Sequence, residues 1–161
     1  MDFQIGDRVV HCTHGLGQVL AIEERAINDN TALYYMVQLA DLTIWVPANE
    51  NLKNRLRFPT TEAGFRESLS LLSGPAEQLP DDRRQRNLQL LEMLKDGEAK
   101  SLCKVIRDLA AYRHARTWSE YDNDLMKRAQ KSLIGEWSFI LSVTPPQAEV
   151  ELYRLLSHKM D

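Results

Sequence analysis

The sequence predicts an α+β protein, a small antiparallel β barrel followed by a bundle of about five helices. Two observations lead to this prediction. From residue 1 to about 50, short runs alternate apolar and polar side chains at the period of two that is typical of half-buried strands. After Arg57-Phe58-Pro59 the apolar residues recur at helical spacing, and cap and stop signals divide the rest of the chain into helices.

The first half is predicted to contain four or five short strands, near residues 7–11, 17–27, 32–39 and 42–46. His14-Gly15-Leu16-Gly17 and Asn28-Asp29-Asn30 are the predicted turns, because glycine accepts positive φ angles and Asn and Asp favour turns. The alternation predicts one face with Phe3, Ile5, Val9, Val19 and Ala21 and an opposite face with Leu20 and Ile22.

The second half is predicted to contain about five helices. The first begins at Thr60 or Thr61 and ends at Ser73-Gly74-Pro75. Asp81 or Asp82 caps the second, and Leu88, Leu91 and Leu94 are its predicted apolar face. A third carries Leu102 to Leu109, a fourth begins at Ser119, and Thr144-Pro145-Pro146-Gln147 opens the last as a capping arrangement.

Charge and composition limit the possible functions. The net charge is −3, with 5 basic and 7 acidic side chains in residues 1–60 and 15 and 16 in the remainder. Neither half is a basic nucleic-acid domain by bulk charge, so a DNA contact requires a local patch. No apolar run is long enough for a membrane helix. The two cysteines, Cys12 and Cys103, are expected to be reduced thiols of a cytoplasmic protein.

Metal binding and catalysis find little support in the residues. His11, Cys12 and His14 are metal-ligand types, but no second pair completes a four-ligand site, so they are interpreted as ordinary hairpin residues. There is no nucleophile elbow and no phosphate-cradling loop between a strand and a helix. The sequence therefore predicts no enzyme, no metal, no cofactor and no small-molecule substrate.

Basic side chains and one tryptophan are the better candidates for function. Basic residues cluster in three of the predicted helices, and they are interpreted either as phosphate contacts or as solvated faces balanced by acidic neighbours. The clusters are Arg83, Arg84 and Arg86; Lys100, Lys104 and Arg107; and Lys127, Arg128 and Lys131. Trp45 alternates with Ile44 and Val46, so it is either exposed for binding or packed against the helical half.

Six stretches together resemble the CarD family of bacterial transcription regulators. They are Phe3–Val10, His14–Gly15, Ala21–Arg25, Asp41–Pro47, Leu91–Gly97 and Val105–Leu109. The resemblance runs through nearly the whole chain, and the N-terminal half is also similar to the polymerase-binding domain of transcription-repair coupling factors. The combination of elements is more specific than any one of them.

The resemblance implies two domains with separate partners. Residues 1–53 would form a Tudor-like barrel that docks on the β subunit of RNA polymerase, and residues 60–158 a helical domain that contacts promoter DNA at the upstream edge of the transcription bubble. The expected polymerase-binding residues are Arg25, Thr43, Ile44, Trp45 and Val46. The expected contacts to the DNA backbone are Arg83, Arg84, Arg86, Lys127 and Lys131.

The chain departs from the family pattern at two positions. Trp45 stands where relatives have a second polymerase-contacting arginine, which predicts a hydrophobic or cation–π contact there. The tryptophan that relatives insert into the minor groove aligns near Arg83, and residues 79–95 contain no tryptophan. The expected function is modulation of open-complex stability. The alternative is a polymerase-docking or other protein-interaction module without DNA wedging.

Overall fold

The chain divides into two compact units, one built of strands and one of helices. The computed structural model describes residues 2–158, and the division falls between Pro59 and Thr60. This arrangement confirms the predicted α+β fold class. The first unit extends beyond residue 53, because a short strand at Leu56–Arg57 pairs within it.

In the described residues of the first unit, five strands form one antiparallel sheet in the order β4-β3-β2-β1-β5. They are β1 Arg8–His11, β2 Gly15–Ile27, β3 Asn30–Gln38, β4 Thr43–Pro47 and β5 Leu56–Arg57. Within residues 2–158 the two end strands do not pair with each other, so the sheet is open and the predicted barrel describes it only loosely. Closure would require the end strands to pair along their lengths, and β5 offers two residues.

Glycines allow the β1–β2 hairpin to form close to β3. Gly15 has a φ of +81°, a conformation that costs glycine little, and it begins β2 directly after the turn. Gly17 is required for a different reason. A β-carbon there would lie 2.7 Å from the backbone oxygen of Gln38 and 2.9 Å from a methyl carbon of Val37.

A β-bulge changes which residues of β2 face the core. The register with β3 shifts between Val19 and Ala21, so Leu20 is extruded and 41% exposed, whereas Ile22 packs against the core. The prediction that Leu20 and Ile22 share a face is therefore wrong. Ile5 is also exposed, because it lies in a tight turn and not in a strand. The core residues of this unit are Phe3, Val9, Val19, Tyr35, Val37, Leu39, Val46, Leu52 and Leu56.

Within residues 60–158, five α-helices form the second unit, as predicted. They are α1 Glu62–Ser70, α2 Arg83–Leu94, α3 Ala99–Ala115, α4 Glu120–Leu141 and α5 Pro145–Ser157. All except α3 begin near a predicted cap. The side chains of Thr61 and Asp82 accept hydrogen bonds from backbone N–H groups of the first turns of α1 and α2. Ser119 and Thr144 form capping boxes at α4 and α5.

The buried face of α2 differs from the predicted one. Leu88 and Leu91 are 61% and 41% exposed, and the residues that α2 buries are Leu90 and Arg86. Leu94 is partly buried against the core of the helical unit. Apolar spacing alone favoured the Leu88 face, but a buried ion pair from Arg86 to α4 sets the rotation of this helix.

A buried carboxylate joins the start of the helical unit to α4. Glu136 is fully buried, and its Oε2 accepts hydrogen bonds from the backbone N–H and the hydroxyl of Thr60, at 2.8 and 2.7 Å. The chain entering α1 is thereby fixed to the C-terminal third of α4, the longest helix.

Gly17→Ala is expected to destabilise the sheet unit by about 1–3 kcal/mol, because the new methyl group meets backbone that cannot move aside cheaply. Hydrogen exchange of the β1–β3 amides at increasing urea concentration measures the loss. The matched control is Gly135→Ala in α4, where a β-carbon has open space, and it is expected to stabilise its helix by about 0.5–1 kcal/mol. Equal protection of the β1–β3 amides in wild type and Gly17→Ala would contradict the steric argument.

Candidate functional site

Arg25 and Trp45 lie together on the solvent-facing side of the sheet. The Arg25 Cζ atom is 4.1 Å from the centroid of the Trp45 ring, although the two residues sit on β2 and β4 with β3 between them. Trp45 is 37% exposed, so the ring is one of the open apolar surfaces of this unit. A cation–π contact at such a position contributes about 0.5–1 kcal/mol. The structure thus brings two predicted polymerase-binding residues into one group.

The backbone of β4 is open along one edge. Hydrogen bonds from the Leu39 N–H to the Leu42 oxygen and from the Ala48 N–H to the Leu33 oxygen mark two hydrogen-bonded pairs of the β3–β4 ladder, at 2.8 and 2.9 Å. Along an antiparallel ladder, pairs that hydrogen-bond to each other alternate with pairs whose N–H and C=O groups point away from the partner strand. Thr43 and Trp45 therefore occupy the intervening positions, with their N–H and C=O groups directed away from β3.

The other two predicted polymerase-binding residues of β4 face inward, which corrects their expected role. Val46 is 2% exposed in the core, and Ile44 is partly buried against the same core. Their backbone groups belong to the pairs Val37↔Ile44 and Tyr35↔Val46, which face β3. They position the edge strand and are not part of its outer surface. Thr43 is exposed, and its hydroxyl donates to the Gln38 side chain at 2.8 Å.

In the helical unit, Arg83 and Arg84 are exposed in the first turn of α2. Lys127 and Lys131 are exposed on α4, one helical turn apart and on the side opposite the buried Leu125, Ala129 and Leu133. These four cations of the predicted DNA-binding set are accessible to phosphate groups.

Arg86 is not accessible, which corrects its predicted role as a phosphate contact. It is 3% exposed, and its Nε and Nη2 donate to the two carboxylate oxygens of Asp122 at 3.1 and 3.0 Å. Its Nη1 donates to the backbone oxygens of Pro80 and Asp81 and to the Tyr112 hydroxyl. The guanidinium therefore joins α2, α3, α4 and the segment before α2.

Asp122 is fully buried and belongs to both the ion pair and the cap of α4. Its Oδ2 also accepts from the backbone N–H and the hydroxyl of Ser119, at 2.8 and 2.9 Å. Burial opposes ionisation of this carboxyl, but the hydrogen bonds from Arg86 and Ser119 prevail and hold its pKa below the usual value. The hydrogen bond to Asp122 likewise raises the pKa of Arg86. Both groups are therefore charged at neutral pH.

In the described part of the chain, the side chain of His11 stabilises the turn from His11 to His14. Burial, followed by the neighbouring His14 and Arg55, lowers the pKa of His11 to about 4. Its neutral Nδ1 accepts from the backbone N–H groups of Thr13 and His14 at 3.1 and 3.3 Å. Among residues 2–158 no group of three His, Cys, Asp or Glu side chains is arranged to hold a metal ion.

In the same residues no helix is long and apolar enough to span a membrane.

Comparison with known proteins identifies both units. Residues 3–57 match the CarD-like/TRCF RID domain, and residues 67–153, more than half of the chain, match the CarD C-terminal domain. The chain belongs to the CarD family. This CarD family protein is also 24% identical over 148 residues to YdeB of Bacillus subtilis (strain 168), a proposed transcription factor. The alignment covers 90% of this chain and 96% of YdeB.

The resemblance found in the sequence is thereby confirmed, and membership in this family of transcription regulators implies an interaction with RNA polymerase. Sequence reasoning missed the Arg25–Trp45 contact, because it joins residues on β2 and β4 that lie apart in sequence. It also missed the Arg86–Asp122 pair. The signal for that pair was the position of Arg86 one turn before Leu90, on the same face of the helix, but Arg86 was interpreted as part of a basic patch.

Arg86→Ala is expected to destabilise the helical unit by about 3–5 kcal/mol, because it leaves the buried Asp122 carboxylate without its partner. Urea unfolding followed by the fluorescence of the buried Trp137 measures the change. The double variant Arg86→Met with Asp122→Leu is expected to recover part of the loss, since no buried charge remains unpaired.

The control for this ion pair is Arg84→Ala, which alters an exposed arginine two residues away and is expected to change stability by less than about 0.5 kcal/mol. Similar losses for Arg84→Ala and Arg86→Ala would show that the pair is not a main support of the fold.

Proposed function

We propose that this CarD family protein docks on the β subunit of RNA polymerase through β4 and the Arg25–Trp45 pair, and contacts promoter DNA through its helical unit. It acts in the bacterial cytoplasm and carries out no catalysis. The docking proposal rests chiefly on one observation: Arg25 and Trp45 form a solvent-facing pair beside an edge strand whose outward backbone groups face no other strand in residues 2–158.

The open edge of β4 favours docking by strand addition. An extended segment of the polymerase would hydrogen-bond to the backbone of Thr43 and Trp45, and backbone pairing supplies affinity in such complexes. Pro47 ends the strand and has no N–H, so the addition site is short. A short edge also limits unwanted pairing between copies of the chain.

The Arg25–Trp45 pair supplies side-chain specificity beside that edge. Stacking on the indole holds the guanidinium plane in one orientation, and its N–H groups remain able to bind a carboxylate of the β subunit. No carboxylate among the described residues forms an ion pair with Arg25, so its charge remains available for the partner. Trp45 adds an apolar contact of the kind that dominates small interfaces.

DNA contact by the helical unit is proposed to be independent of base sequence. Arg83 and Arg84 lie at the N-terminus of α2, where helix backbone N–H groups also favour phosphate, and Lys127 and Lys131 extend along α4. Because the Arg86–Asp122 pair joins the first turns of these two helices, both cation groups move as one body. DNA contacts that the protein makes in the open promoter complex but not in the closed promoter complex then shift the equilibrium between these two complexes.

Leu88 is proposed to make the apolar DNA contact that a tryptophan makes in relatives. It is 61% exposed on α2, one turn from Arg84, and leucine is among the side chains that proteins insert between base steps. A leucine covers less of a base than a tryptophan does, so the expected effect on open-complex lifetime is smaller.

A docking module without a DNA function is the second candidate. The absence of tryptophan from residues 79–95 and the near balance of 15 basic and 16 acidic side chains after residue 60 favour it. Polymerase binding without any change of open-complex lifetime would select this candidate.

Arg25→Glu and Trp45→Ala are each expected to weaken binding to the isolated β lobe of RNA polymerase by about tenfold or more, because each removes one half of the solvent-facing pair. Surface plasmon resonance with the immobilised lobe measures the affinity. Arg25 is exposed, so Arg25→Glu is expected to change the free energy of unfolding by less than about 1 kcal/mol. Arg66→Glu, an exposed charge reversal on α1, is the control. Undiminished affinity in both variants would remove this surface from the interface.

Arg83→Ala combined with Arg84→Ala is expected to lower the slope of log affinity against log salt by about 1.8, since each phosphate contact contributes about 0.9. Fluorescence anisotropy with a promoter duplex at several KCl concentrations measures it. The control is Arg66→Ala with Arg154→Ala, which removes the same charge from exposed ion pairs on α1 and α5. A slope identical to that of the wild type would show that Arg83 and Arg84 do not contact DNA phosphates.

A further inference from the structure

The distal half of β2 forms a second open edge of the sheet. β1 pairs with residues 15–18 of β2, and two further backbone hydrogen bonds, at 2.7 and 2.9 Å, cover Val19. Within residues 2–158, no strand pairs with this side of β2 from residue 20 to residue 26. β3 lies between this edge and β4, so the edge is separate from the one that Thr43 and Trp45 form.

The hydrogen-bond pattern identifies the groups on this edge. The Ala48 N–H donates to the Leu33 oxygen, so the backbone groups of Leu33 face β4. Its partner on β2, Glu24, therefore belongs to a pair whose N–H and C=O groups point away from each other. The register has no further shift beyond the bulge, so alternation gives Ile22 and Ala26 the same orientation. Three residues of β2 thus direct their N–H and C=O groups outward.

The side chains beside this edge are acidic. Glu23 and Glu24 are exposed, and as neighbours in a strand they point to opposite faces of the sheet. Neither carboxylate forms an ion pair within residues 2–158. The guanidinium of the next residue, Arg25, lies over Trp45 and thus on the side of β4, away from this edge. A segment that pairs here meets negative charge on both faces, so cationic side chains on consecutive residues suit it best.

A second copy of the chain does not suit this edge. Two β2 edges that pair antiparallel about a twofold axis must align the outward residues 22, 24 and 26 with one another. Each register that pairs at least two of them places Glu24 opposite Glu24, Glu23 opposite Glu23 or Arg25 opposite Arg25. Like charges directly opposite each other are destabilising. The edge therefore favours a different protein over a second copy.

We propose that residues 22–26 of β2 bind an extended segment of a second partner protein by strand addition, and that this segment carries two consecutive lysine or arginine residues. Backbone hydrogen bonds to Ile22, Glu24 and Ala26 supply the affinity. The two cations pair with Glu23 and Glu24, one on each face of the sheet, and supply the specificity. The proposal does not depend on polymerase docking through β4 or on DNA contact.

The first test is an NMR titration of the full-length protein with the peptide acetyl-Thr-Val-Lys-Arg-Val-Thr-amide. Saturable shifts are expected for the backbone amides of residues 21–26. The peptide acetyl-Thr-Val-Glu-Glu-Val-Thr-amide is expected to bind at least about tenfold more weakly, because its carboxylates are repelled by Glu23 and Glu24. Equal binding of the two peptides, no saturable shift with either, or shifts confined to Thr43 and Trp45 would overturn the proposal.

A charge reversal tests the two carboxylates. Glu23→Lys combined with Glu24→Lys is expected to weaken binding of the basic peptide by about tenfold or more and to strengthen binding of the acidic one. Both side chains are exposed, so the variant is expected to fold. The control, Glu67→Lys with Glu149→Lys, makes the same charge change at exposed positions of α1 and α5 and is expected to bind like the wild type. Equal effects of the two double variants would show attraction by net charge alone and overturn the proposal.

Two N-methylated forms of the basic peptide test backbone pairing. Each is methylated at alternate amides, so that one form blocks one edge of the bound peptide strand and the other form blocks the opposite edge. One form is expected to bind at least about tenfold more weakly than the unmethylated peptide, and the other to bind equally well. Retention of binding by both forms would exclude strand addition.

Hydrogen exchange at low and high protein concentration tests the second copy as occupant. The amides of Glu24 and Ala26 are expected to exchange at the same rate at both concentrations, because their edge stays open in the protein alone. Slower exchange of these two amides at high concentration would identify a second copy as the occupant and overturn the proposal.

Discussion

The helical unit depends on the buried ion pair between Arg86 and Asp122. Desolvating two charges is expensive, and such a pair is tolerated when its remaining donors and acceptors are satisfied. This requirement is met by the hydroxyl of Tyr112, two backbone oxygens before α2, and Ser119 at the cap of α4. The pair thereby connects a cap, two helices and a loop, and it sets which face of α2 is turned outward.

The orientation of α2 about its own axis determines both how this helix packs and which of its side chains can contact a partner. With Arg86 turned inward, Arg83, Arg84 and Leu88 of the same helix are turned to solvent. One buried arginine therefore determines which cations and which apolar side chain α2 presents to a partner. A helix packed by its leucines alone would bury Leu88 and expose Arg86.

In the sheet unit, the corresponding constraint is that the sheet stays open. Because β4 is an end strand, the groups of Thr43 and Trp45 that would pair in a closed barrel face outward. The twist of the sheet and the pairing of β2, β3 and β4 bring Arg25 over Trp45 beside that edge. The strand edge and the cation–π pair thus come from the same feature of the fold.

The sequence by itself determined the class of the fold, the order of the elements and most of their ends. Caps such as Asp82, Ser119 and Thr144 act on the first turn of their own helix, and turn glycines such as Gly15 act on their own backbone, so these signals are local and readable. The family resemblance also lay in the sequence, because it is a pattern of residue types along the chain.

The tertiary structure decided which side chains face inward and which residues meet. The bulge at Leu20, the inward turn of Arg86 and the pairing of Arg25 with Trp45 all depend on residues far away in sequence. The requirement for glycine at position 17 also depends on residues far away in sequence, because a β-carbon there would collide with Val37 and Gln38 of β3. The periodicity of one segment records its preference for an amphipathic shape, whereas the choice among its possible faces is made by the free energy of packing against partners that the segment does not contain.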